Sequence, residues 1–148
     1  MGVRRAPGFT LIELVVVLAI LGLAYALVPP LFASARATTE LKGATRQLAA
    51  GLRQARNYAV TKRAEAVLTL NVEKRDFTVS GDARTYSLPR QLQLKMVTAQ
   101  REVIDDKIAA IRFYADGSSN GGRITLTAGE RSFEVDVNWL TGRVAIFD

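Results

Sequence analysis

Few residues in this chain have the capacity for chemistry. Neither histidine nor cysteine occurs among its 148 residues, which removes His-based triads, thiolate nucleophiles and Cys/His zinc sites together. What remains is a carboxylate in an unusual place. Glu13 is the sole charge in the apolar run from Phe9 to Val28. An acid near the middle of a bilayer costs roughly 3 kcal/mol on insertion scales, so such acids are functional suspects by default. Asp105 and Asp106 lie in the polar stretch "REVIDDK" and read as a solvated turn rather than an acid–base pair.

Basic residues form the second candidate. Between Arg36 and Glu65 there are seven basic residues against two acids, whereas from Val67 onward there are eleven of each sign. The net charge of +6 therefore belongs largely to one segment. At helical spacing Lys42, Arg46, Arg53, Arg56 and Arg63 fall on a sector about 100° wide, beside a stripe of Leu41, Leu48, Leu52, Ala55 and Ala59 about 60° wide. Such a face can be solvated, can meet acidic neighbours, or can contact anionic lipid or nucleic acid. Tyr58 is the one aromatic among these charges, which speaks against stacking on bases.

A third candidate is the loop "YADGSSNGGRITL", Tyr114 to Leu126. One acid and one Asn fall short of a calcium loop. It also lacks the Lys-Ser/Thr pair of a phosphate loop and opens a strand rather than a helix. Its glycines suit a tight turn. No cofactor is implied anywhere.

Four segments must position these groups. Phe9 to Val28 is twenty residues, which as a helix spans ~30 Å, about one hydrocarbon core. It is longer than the apolar part of an ordinary signal peptide, although Ala24 and Ala26 provide small-x-small spacing. Arg4 and Arg5 ahead of it predict an N-terminus on the cytoplasmic side and a C-terminal domain on the other. Pro29 and Pro30 predict a break in the helix. Residues 31–65 then read as a basic amphipathic helix. From Val67 the period changes to alternation, with candidate strands "VLTLNV", "DFTVSG", "LQLKMVT", "IAAIRFYA", "RITLTA", "SFEVDVNW" and "GRVAIF" separated by turn signals. The last three form an expected antiparallel meander. The fold class is α+β: a long N-terminal transmembrane or stem helix packed on a small antiparallel β-domain.

Gly8 followed by "FTLIELVVVLAILG" resembles the class III signal of type IV pilins and type II secretion pseudopilins. The resemblance implies a leader, residues 1–8, cut by a prepilin peptidase between Gly8 and Phe9, with methylation of the Phe9 amine. Residues 9–30 would stay as membrane anchor and filament stem, 31–65 would continue the stem, and 66–148 would form a periplasmic β-domain. Glu13, costly if unpaired among packed stems, would then meet the Phe9 amine of a neighbouring subunit. "LRQARNYAVTKRAEAVL", "IRFYADGSSNGG" and "VNWLTGRVAI" are similar to the GspH/FimT branch of this family.

That branch implies a pilin-like, non-catalytic minor pseudopilin at or near the tip of a type II secretion pseudopilus. Its implied partners are the other minor pseudopilins, the major pseudopilin, the prepilin peptidase and the inner-membrane assembly platform. The alternative is a FimT-like minor pilin that serves pilus assembly or DNA uptake. The DNA-binding members carry an Arg-rich tail after the Gly-Arg, whereas here Gly142-Arg143 runs into the apolar "VAIF" and Asp148.

Overall fold

The computed structural model describes residues 8–98, 103–105 and 107–148, with the side chains of 27–35 and 103–105 outside the description. The leader residues 1–7, with Arg4 and Arg5, and Asp106 also lie outside it. Two compact units are formed, 1–36 and 37–148.

One helix, α1 (Leu11–Lys62), runs through 52 residues. The Pro29-Pro30 pair lies inside it, where a break is expected, and the backbone stays helical there. Missing N–H groups at these positions leave the carbonyls of Tyr25 and Ala26 without their i+4 donors, a loss the Leu- and Ala-rich flanks absorb. At its C-terminal end Lys62 meets the negative pole of the helix dipole. Arg63 then takes a left-handed φ of 51° and the Ala64 N–H closes back on the Ala59 carbonyl at 3.2 Å.

The expected transmembrane stem is corrected: among the described residues no helix is long and apolar enough to cross a membrane. Such a crossing requires ~20 consecutive apolar residues, or ~30 Å of helix. Glu13 charges the first turn of α1 as well. The single-pass inner-membrane placement, with cytoplasmic N-terminus and periplasmic body, rested on that span and falls with it.

Among the described residues nine strands build the rest: β1 (Ala66–Asn71), β2 (Asp76–Val79), β3 (Thr85–Ser87), β4 (Gln93–Thr98), β5 (Val103–Asp105), β6 (Ile108–Phe113), β7 (Gly122–Ala128), β8 (Arg131–Val137) and β9 (Val144–Phe147). They form two antiparallel sheets, ordered β3-β2-β1-β6-β5 and β4-β7-β8-β9. The meander β7-β8-β9 forms as the alternation predicts, with Ile124 opposite Val135 and Val137 opposite Val144. In the other sheet Leu68 faces Val79 on one side and Ile111 on the other. Strand β5 occupies part of the stretch read as a solvated turn. At three residues each, β3 and β5 are too short for alternation to mark them.

Both sheets share one core with α1. Leu41, Leu48, Leu52, Ala55 and Ala59, the stripe read from helical spacing, are all fully buried with Leu68, Phe77, Phe113, Ile124, Leu126 and Val135. Gly51 makes the closest approach possible: a Cβ there would stand 2.7 Å from the Phe77 ring. The Phe77 ring in turn stacks on Tyr86 at 5.0 Å between centroids.

Candidate functional site

Helix α1 begins with a side-chain N-cap. Thr10 is the N-cap: its Oγ1 accepts the Glu13 N–H at 3.3 Å and its carbonyl accepts the Leu14 N–H at 3.2 Å. Glu13 stands at the third helical position, the acidic place in the pattern Thr-x-x-Glu, where a carboxylate favours the positive end of the helix dipole. The acid thus has a local reason to be there, which sequence reading by polarity alone misses although the Thr10–Glu13 spacing carries the signal. A Cβ at Gly8 would meet nothing within 4 Å, and Phe9 is 88% exposed. The apolar side chains from Leu11 to Tyr25 are exposed too.

The five basic residues do not stay together. Lys42 and Arg46 line a pocket with Thr45, Phe133, Ile146 and Asp148. Arg53 and Arg56 line a different cleft of about 460 Å³ with Asn57, Thr141, Gly142, Arg143 and Val144. Arg63 lies past the end of the helix.

Of the five, Arg56 is a structural pin. Its Nε–H is shared between the carbonyls of Gly117 and Thr141, each at 3.2 Å, so one guanidinium ties the β6–β7 loop to the β8–β9 loop. Only glycine fits where these loops meet. Gly142 has φ +62°, and a Cβ there would stand 2.1 Å from the Gly117 carbonyl oxygen and 2.9 Å from Arg56 Nε. Asn138 shapes the second loop, its Oδ1 accepting the N–H groups of Leu140 and Thr141 at 3.0 Å and the Thr141 hydroxyl at 3.1 Å. In the first loop the Asp116 carboxylate accepts the N–H and hydroxyl of Ser118, which hold its pKa below the usual carboxylate range. The glycine-rich loop is therefore a turn that docks on the helix.

A third polar cluster joins α1 to the β2–β3 hairpin. Asp82 accepts from the Arg84 guanidinium and backbone N–H, from the Tyr86 hydroxyl at 2.7 Å and from Gln54 Nε2 at 3.1 Å. These donors, Arg84 first, hold the Asp82 carboxyl far below the usual range. Acceptance by Asp82 pushes the Tyr86 hydroxyl up. A carboxylate so fully saturated is a latch, not a proton carrier. Among the described residues no group of three or more Asp and Glu is placed to hold a metal ion.

Residues 44–142 match the family model of the type II transport protein GspH, and residues 3–27 match the prokaryotic N-terminal methylation motif. The chain is 30% identical over 141 residues to the type II secretion system protein H of Xanthomonas campestris pv. campestris, covering 95% of this chain and 83% of that protein. Two solved structures share its fold. The type IV minor pilin FimU of Pseudomonas aeruginosa aligns with a TM-score of 0.58 at 18% identity, over 75% of this chain and 90% of that one. The minor pseudopilin EpsH of the Vibrio cholerae type 2 secretion system aligns with a TM-score of 0.58 at 13% identity, over 73% and 96%. At such identities the likeness concerns the fold alone.

Proposed function

The chain belongs to the type II transport protein GspH family, minor pseudopilins with a structural and non-catalytic role, and from that membership we propose that it is a filament subunit at or near the tip of a type II secretion pseudopilus. There it supports export of folded proteins across the outer membrane. The observation that carries this reading is the match of the family model over 44–142 joined to the methylation motif over 3–27. A prepilin peptidase cuts after Gly8 and the Phe9 amine is methylated. The exposed apolar face of residues 9–26 then becomes the surface on which neighbouring pseudopilins pack. In that setting Glu13 has two roles: it favours the start of its own helix, and it pairs with the Phe9 amine of a neighbour. The fit of β9 into its sheet beside β8 leaves Gly142-Arg143 followed by a paired strand, which weighs against the reading as a DNA-uptake pilin.

The test is complementation of a host lacking this gene. Glu13→Ala is expected to give a folded protein that no longer supports secretion, and normal secretion by that variant removes the assembly role. Gly8→Ala is expected to retain the leader, read by N-terminal mass. Its efficient cleavage would refute the processing site.

A further inference from the structure

We propose that the cleft lined by Arg53, Arg56 and Arg143 is a carboxylate-binding site that receives an acidic segment of a protein partner. Helix periodicity supplies Arg53 and Arg56, and the β8–β9 loop brings Arg143 to them from the far end of the chain. Among the described residues no carboxylate pairs with any of the three guanidinium groups. Arg56 commits its Nε–H to Gly117 and Thr141, and Arg53 commits one Nη2–H to the Val144 carbonyl at 3.4 Å. Among the described residues the other donors of these two side chains, and the whole guanidinium of Arg143, have no protein acceptor. Three like charges around one cleft repel each other, and a bound anion offsets that repulsion. Arginine forks match the two oxygens of a carboxylate, and Arg56 is held in orientation by the carbonyls it already binds.

Several cations elsewhere on the body have acidic partners. Arg84 pairs with Asp82, Lys107 with Glu73, Arg112 with Glu65, and Arg123 with both Glu134 and Asp136. The three guanidinium groups of the cleft have none among the described residues, and they are gathered around about 460 Å³, a compact spot rather than a track of successive phosphates. A single acidic side chain or a short acidic run suits such a spot. The assignment stands whichever filament the chain joins.

The experiment titrates the full-length chain into a fluorescein-labelled oligoglutamate peptide at low salt. Anisotropy is one readout, and the fluorescence of Trp139, the sole tryptophan and a member of the β8–β9 loop, is the second. Saturable binding is expected, absent for an oligoglutamine peptide and weakened about tenfold or more in Arg143→Gln and in Arg53→Gln. Neither variant removes the Arg56 pin, and circular dichroism checks that each is folded. Arg46→Gln makes the same charge change on the same helix outside the cleft and is expected to bind as wild type. Equal weakening in Arg46→Gln would overturn the site in favour of diffuse charge. Undiminished binding in Arg143→Gln and Arg53→Gln, or no binding by the wild type, would overturn it outright. So would tighter binding of a single-stranded oligonucleotide of matched charge, which would assign the cleft to nucleic acid.

Discussion

Leucine meets opposite fates along the one helix α1. Leu14, Leu18 and Leu21 are 58%, 59% and 58% exposed, whereas Leu41, Leu48 and Leu52 are fully buried. Residue type and backbone conformation are the same, so neither decides burial. The later leucines have two sheets to lie on, whereas the earlier ones are exposed among the described residues. Burying such a side chain stabilises by about 1.5–3 kcal/mol. From Leu41 onward that free energy holds the domain together. In the N-terminal stretch it remains available for association, and an exposed apolar surface of this extent marks an interaction face.

The sharpest way to break this contrast is a pair of identical changes. Leu48→Ala opens a cavity in the core and is expected to cost about 2–5 kcal/mol in chemical denaturation. A loss below 1 kcal/mol would mean that the helix is not packed as described. Next in size is Gly142→Ala, which forces a side chain into a left-handed position against the Gly117 carbonyl and Arg56. A loss of about 1–3 kcal/mol is expected, with amide exchange rising in both loops before the sheets. Thr10→Ala removes the N-cap and is expected to cost about 1 kcal/mol, confined to the first turn and read as faster exchange of the Glu13 amide.

The Asp82 latch has its effect in acid. Its folded pKa is depressed, so its contribution is complete above the unfolded value of about 3.9 and is lost as pH falls through the folded value. Asp82→Asn is expected to flatten the acid limb of a stability–pH profile below about pH 4, and an unchanged limb would contradict the latch. The smallest effect completes the pair: Leu18→Ala is expected to stay within about 0.5 kcal/mol of wild-type stability in the isolated chain. It should nevertheless weaken filament assembly.

Much of the body is legible in the residues. Alternation in "SFEVDVNW" and "RITLTA" places Val135, Val137, Ile124 and Leu126 inside, because a strand's faces follow from a period of two. Helical spacing finds the Leu41–Ala59 stripe by the same kind of rule. The apolar run of Phe9 to Val28 is equally plain, but among the described residues no helix is long and apolar enough to cross a membrane. Pro29 and Pro30 mislead in another way. A local preference against helix is outweighed where good helix formers flank it on both sides.

Local rules therefore determine, from sequence alone, the Thr-x-x-Glu pattern at Thr10 and Glu13, the buried stripe, the longer strands and the turns. Each depends on residues a few positions apart. Tertiary structure alone decided that five basic residues on one helical sector divide between two pockets and a helix end. It also decided that Arg56 pins two loops and that Arg143 joins Arg53 across 90 positions of chain. Periodicity reports which way a side chain leaves its own element. What stands opposite is set by how the sheets pair and dock, and that is a property of the whole chain.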